Sequence, residues 1–200
     1  MPLSRCLLFF LLVLTGGSAF SQGFRAGFRA GMTATQVDGD QLQGFNQAGL
    51  LGGITVSRDL GERFSLGMEM IYIQKGSRKP LNTDDNTYYV MRLSYVEVPL
   101  LLRFNAGKKL MLEAGPSFGV LVASKEKDQS GIIDYAPPFE KREYSLNAGL
   151  GYLLSDDLLF NARYGFSLLP VRRFDSVLNY YYWDRGQFNS VVQLSLNYSF

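Results

Sequence analysis

Ser94–Phe104 reads SYVEVPLLLRF, and its alternation decides the fold. Val96, Val98, Leu100, Leu102 and Phe104 fall on one face; Tyr95, Glu97, Pro99, Leu101 and Arg103 fall on the other. A period of two is that of a β-strand. One face is wholly apolar while the other carries an acid and a base. An oily outside with a polar inside is the pattern of a strand that crosses a membrane as part of a barrel.

Seven further segments repeat the pattern. Phe24–Thr33 sets Phe24, Ala26, Phe28, Ala30 and Met32 against Arg25 and Arg29. Strands are expected at Ala48–Arg58, at Phe64–Lys75 with Glu69 inward, and at Lys109–Val122 with Glu113 inward. In that last segment Pro116 is expected to mark a bulge or a break in the ladder. Tyr144–Leu153, Leu158–Phe166 with Arg163 inward, and Gln187–Phe200 complete the set. Ala34–Asn46, Gly76–Thr87, Ala123–Glu143 and Ser167–Gly186 read as long links, whereas Asp59–Arg63, Asn105–Lys108 and Leu154–Asp157 are short turns. That asymmetry predicts an all-β, eight-stranded antiparallel up-and-down transmembrane barrel, with both termini and the short turns on the periplasmic side. An even number of strands lets the sheet close and leaves no edge in lipid.

Met1–Ser21 combines a basic start at Arg5, an apolar run from Cys6 to Leu14 and small residues at the exit, so a secretory signal peptide cut after Ser21 is expected, followed by the barrel domain over 22–200. The apolar run is shorter than the roughly 20 residues a spanning helix needs. Loss of Cys6 leaves no cysteine, hence no disulfide, thiolate nucleophile or cysteine-based metal site. Charge is nearly even, 20 basic against 18 acidic residues, and no clustered basic stripe marks a nucleic-acid partner.

Eight strands leave an interior that side chains fill. The inward charges Arg25, Arg29, Glu69, Glu97, Arg103, Glu113 and Arg163 are therefore expected to form one structural ion network, because an unpartnered charge in such a place costs several kcal/mol. A wide diffusion pore is not expected at the same width. With no histidine in the chain, the usual general base of a hydrolase or acyltransferase is missing and no enzyme is expected, the competing reading being an outer-membrane enzyme that uses the interior or loop carboxylates. Asp38 and Asp40, or Asp84 and Asp85, supply too few oxygens for calcium, and FRAGFRAG lacks the Lys-Ser/Thr ending of a phosphate loop; no cofactor or metal is expected. Aromatics in Asp134–Phe139 and in Asn179–Asp184, where Tyr180, Tyr181, Tyr182 and Trp183 are consecutive, suit either an interfacial belt or a loop binding surface.

Tyr95–Phe104, LEAGPSFGVL at Leu112–Leu121, ARYGFSL at Ala162–Leu168 and the terminal LSLNYSF together resemble the PorT-type outer-membrane β-barrel proteins of Bacteroidetes-like bacteria, across essentially the whole mature chain. The last strand, with Leu194, Leu196, Tyr198 and Phe200 outward, is similar to the assembly signal of outer-membrane barrels in general, which implies the barrel assembly machinery as a partner. The resemblance implies a bacterial outer-membrane location in contact with its lipids. It also implies, as the alternative to surface binding or envelope structure, an accessory part in protein secretion or envelope assembly.

Overall fold

The computed structural model describes residues 23–40, 42, 44–82, 87–133, 137–173 and 186–200, with backbone alone at 81 and 82. The expected signal peptide, Asp84, Asp85 and Tyr180–Trp183 lie outside the described residues. The strands are β1 (Phe24–Asp38), β2 (Gln47–Asp59), β3 (Phe64–Asn82), β4 (Thr87–Asn105), β5 (Leu110–Asp128), β6 (Gly131–Ile132), β7 (Arg142–Leu153), β8 (Leu158–Ser167), β9 (Arg172–Arg173) and β10 (Gly186–Ser199). The two-residue β6 and β9 are appendages on β5 and β10. The other eight run in the order β1-β2-β3-β4-β5-β7-β8-β10, every neighbouring pair is antiparallel, and β10 pairs with β1 to close the ring.

The register fixes the size of that ring. From Phe24 the partners run to Arg58, Leu66, Leu102, Ala114, Ala148, Tyr164, Val192 and back to β1 at Ala34. One circuit therefore climbs ten residues, from 24 to 34. With about 3.3 Å of rise per residue and about 4.8 Å between strands, that stagger over eight strands tilts them by about 40° and sets a backbone radius near ~8 Å. Side chains fill such an interior.

The outside is oily at every strand. Phe28, Met32, Leu50, Met68, Met70, Leu100, Leu102, Phe118, Leu146, Leu150, Leu194 and Leu196 are all exposed large apolar side chains, far more than a soluble monomer presents. Aromatics cluster towards the short-turn rim, with Phe28 against Phe200 at 5.6 Å and Phe64 against Phe104 at 5.2 Å between ring centroids. Another pair, Phe118 and Tyr144 at 5.4 Å, lies further towards the long links. Leu194, Leu196, Tyr198 and Phe200 all point outward, and the Phe200 amide donates to the Ala26 carbonyl at 2.9 Å, tying the terminal strand into the closure.

Several expectations need correction. Gly76–Thr87 is not a long loop: β3 runs to Asn82, β4 starts at Thr87, and only 83–86 lie between. Polar composition concealed a ladder that continues from Gln74↔Ser94 to Lys79↔Tyr89. Similarly β1 extends to Asp38 and β5 to Asp128, so the asymmetry between the two ends lies in strand length as much as in loop length. Pro116 makes no bulge and holds register opposite Leu146 on β7, while towards β4 the ladder is interrupted beside it, between Pro99↔Ser117 and Leu102↔Ala114. The irregularity falls at Ser94/Tyr95, whose partners Ala123 and Leu121 leave Val122 extra on β5.

Candidate functional site

Strand β4 crosses every layer of the lumen. From the short-turn end its buried inward residues are Arg103, Leu101, Pro99, Glu97, Tyr95, Leu93 and Met91, with half-buried Tyr89 beyond. The side chains that meet them come from all around the ring.

The first layer is built on Glu69. Its Oε2 accepts from Arg29 Nη1 at 2.7 Å and Arg163 Nη1 at 2.9 Å, and its Oε1 accepts from Arg103 Nη2 and Arg163 Nη2, each at 2.9 Å. Glu113 accepts from Arg163 Nε at 2.7 Å and Arg103 Nε at 3.3 Å. Asn161 ties the two carboxylates together, receiving from Arg29 Nη2 at 3.1 Å and donating to Glu113 at 2.9 Å, while Gln193 takes another Arg29 bond at 3.1 Å. The guanidinium of Arg103 fits because position 67, diagonal to it on β3, is glycine: a Cβ there would stand 2.7 Å from Arg103 Cζ.

A second layer holds Lys75 between two acids. Lys75 Nζ donates to Glu97 and, at 2.8 Å, to Glu143 Oε1, and it lies 5.2 Å from the centroid of the Tyr95 ring. Ser145 and Asn189 donate to the Glu143 carboxylate at 2.9 and 3.1 Å. Around and beyond it, Val37, Leu51, Ile71, Ile73, Met91, Leu93, Tyr95, Val171 and Val191 pack into an apolar plug. A third charged layer follows, in which Arg172 and the Tyr89 hydroxyl both donate to Glu126, and Phe139 stacks 3.7 Å from Arg172 Cζ.

Five buried cations, Arg29, Lys75, Arg103, Arg163 and Arg172, thus face five buried anions, Glu69, Glu97, Glu113, Glu126 and Glu143, among the described residues. The charges of these ten residues sum to zero. Among the described residues, buried polar side chains and an apolar cluster occupy the lumen. At the short-turn end a cavity of about 380 Å³ lies beneath Arg103 and Met111, rimmed by Arg25, Asp59, Glu62, Lys108 and Asp156.

The expected single network is therefore two networks and an outlier. Arg29, Glu69, Arg103, Glu113 and Arg163 come together. Glu97 does not join them and pairs with Lys75 instead. Arg25 sits at the rim, mostly exposed, and bonds Asp59 at 2.5 Å. Lys75, Glu126, Glu143 and Arg172 were missed because the last three fall in stretches read as loops. The alternation carried the signal: Glu69, Ile71, Ile73, Lys75 and Glu143, Ser145, Asn147 continue the inward parity without interruption.

Asp38 and Asp40 are not arranged as a metal cage. Asp38 accepts from Ser190 Oγ at 2.5 Å and from Gln36, and Asp40 Oδ1 accepts the Leu42 amide at 2.8 Å. Burial pushes the Asp40 carboxyl above its ordinary pKa, which disfavours the ionised form a hard cation needs. No group of three or more metal-binding side chains occurs among the described residues.

No curated protein matches the chain in sequence. Among solved structures it is similar to Ail, the attachment invasion locus protein of Yersinia pestis in complex with the heparin analogue sucrose octasulfate, at 12% identity, covering 90% of this chain and 100% of that one with a TM-score of 0.52. Neisserial surface protein A is similar at 11% identity, with 90% and 98% covered and a TM-score of 0.53. Both likenesses are of fold. Residues 18–172 match the family described as outer membrane protein beta-barrel domain. A closed ring of eight strands, oily outside and side-chain-filled inside, carrying that family's sequence pattern over most of its length, belongs to the outer membrane β-barrel family and to the bacterial outer membrane.

Proposed function

We propose that this protein is a closed, non-enzymatic anchor whose long-link end serves surface binding or envelope structure. The observation that carries this reading is the filled lumen. Ten mutually compensating charges and an apolar plug suit a rigid support better than a channel or a reaction chamber, since each charge is already committed to a partner. Export through a signal peptide cut after Ser21 and termini on the periplasmic side complete the proposal. Tyr180–Trp183 remains the candidate loop binding surface, and Leu194, Leu196, Tyr198 and Phe200 the signal to the assembly machinery.

Reconstitution in planar bilayers tests it. The folded barrel is expected to pass no sustained current, whereas stable porin-like conductance steps would overturn the plugged reading.

One observation favours a second role. The charged cavity at the short-turn end would face the periplasm and offers a surface for an envelope partner, which agrees with the PorT-type resemblance of Tyr95–Phe104 and an accessory part in secretion. Crosslinking and co-purification from intact cells would separate the two: a periplasmic partner lost on changing Arg25, Asp59 and Lys108 supports it, and recovery of the barrel alone counts against it.

A further inference from the structure

Arg92 on β4 and Lys125 on β5 are direct cross-strand partners, and both are exposed on the outward face of the sheet. Like charges placed opposite each other destabilise a sheet, so this pair calls for a counter-charge. None is present among the described residues. One step further from the short turns, Val90 is flanked by Arg78 on β3 and Lys127 on β5, again exposed. Among the described residues none of these four cations makes an ion pair, and the outward positions around them on β3, β4 and β5 carry no acid. The nearest acid on β5, Glu126, points inward and is taken by Arg172.

Height along the barrel says what lies against this patch. At about 40° of tilt each residue climbs about 2.5 Å along the axis. On β4 the outward apolar run from Phe104 to Val96 then spans about 20 Å, and Arg92 stands about 30 Å above Phe104. A lipid-facing band is about 25 Å tall. Arg92 therefore emerges just past the hydrocarbon, at headgroup depth. Exposed Val122 and Ile132, the latter paired with Lys127, keep the flanks of the patch apolar. On the opposite side of the ring the outward residues near this level are Gln36, Asp38 and Ser190, with an acid and no cation.

We infer that the outward face of β3, β4 and β5 at Arg78, Arg92, Lys125 and Lys127 binds the phosphate of a lipid headgroup in the leaflet that adjoins the long links. The acyl chains of such a lipid lie on the apolar band below while its phosphate supplies the charge that the Arg92 and Lys125 pair lacks. Calling that leaflet the outer one rests on the orientation proposed above. Vesicle measurements read the binding whichever way the barrel points, so the two ideas fail separately.

The full mature chain would be refolded into phosphatidylcholine vesicles with and without bisphosphorylated lipid A, extracted in mild detergent, and assayed for lipid A retained per folded barrel. Arg92→Gln with Lys125→Gln is expected to lower retention by about fivefold for each cation removed. Arg92→Lys with Lys125→Arg should keep it. In phosphatidylcholine alone the neutralised variant should melt no lower than the parent, because its like-charge pair is gone; in lipid A vesicles the order should reverse. Excess inorganic phosphate should leave retention unchanged, and displacement by it would overturn the lipid assignment in favour of a free anion. Should the double variant fail to show the heat-dependent gel shift of a folded barrel, Lys127→Gln alone serves, with the same expected direction. Equal retention by the parent and a folded neutralised variant overturns the inference.

Discussion

Arg163 meets Glu69 through two parallel bonds, Nη1 to Oε2 and Nη2 to Oε1, each 2.9 Å long, with both side chains fully buried. A paired guanidinium–carboxylate fork fixes orientation as well as distance. It comes from β8 and β3, which are not neighbours in the ring, so this contact braces the barrel across its lumen. Arg29 and Arg103 complete the carboxylate's coordination.

Glu69 is for that reason the residue whose loss should be felt most. Glu69→Gln leaves three buried guanidinium groups sharing one carboxylate, and should cost about 3–5 kcal/mol, as breaking a buried pair does. Arg25→Gln removes only an exposed rim pair and should cost less than about 1 kcal/mol. Urea unfolding in detergent or vesicles, followed by the gel shift between unheated and boiled samples, checks the contrast; similar midpoints for the two variants would mean the lumen is hydrated.

The two inner networks should be energetically separate. Lys75→Met and Glu97→Gln, whose side chains touch, should show a coupling of about 1–3 kcal/mol in a double-mutant cycle, whereas Glu97→Gln and Arg29→Gln should add within about 0.5 kcal/mol. Strong coupling in the second cycle would restore a single network.

At the lipid face, Leu196→Arg should destabilise by about 2–4 kcal/mol if it lies near the bilayer midplane. Its inward neighbour Ser195 is buried in the filled lumen opposite Gly31, where an added Cβ would approach the Ser195 Cβ to 2.6 Å, so loss of its hydroxyl should be felt less than a larger side chain. Ser195→Ala should be close to neutral and Ser195→Gln clearly destabilising. Equal effects of Leu196→Arg and Ser195→Ala would invert the assignment of faces.

Orientation is tested on intact cells. External protease should cut within 129–141 or 168–185, and not within 60–63. The ladder protects 123–128, which pairs with β4, so the susceptible stretch is narrower than the whole connection between β5 and β7. Cleavage confined to the short turns would turn the barrel over.

How far the architecture is legible in the chain follows from these same residues. Alternation over Val96–Phe104, Leu112–Val120 and Val192–Phe200 identifies strands and their lipid face, because a period of two is local and every strand repeats it. Where composition turns polar, as in Gly76–Asn82, alternation persists but hydropathy fades, and the strand looks like a loop. Its pairing with Thr87–Leu93 supplies what composition could not.

The sequence by itself determined an eight-stranded barrel with an oily exterior, since both strand count and facing are properties of short stretches read one at a time. Which interior charges meet was decided only by the tertiary structure. Arg29 reaches Glu69 and not Glu97, and Glu97 finds Lys75, because a stagger of ten residues around the ring sets the height at which each inward side chain arrives. The heights follow from the registers between the strands concerned, β1 through β2 to β3 for Arg29 and Glu69 and β3 to β4 for Lys75 and Glu97, and no single stretch of the chain contains them.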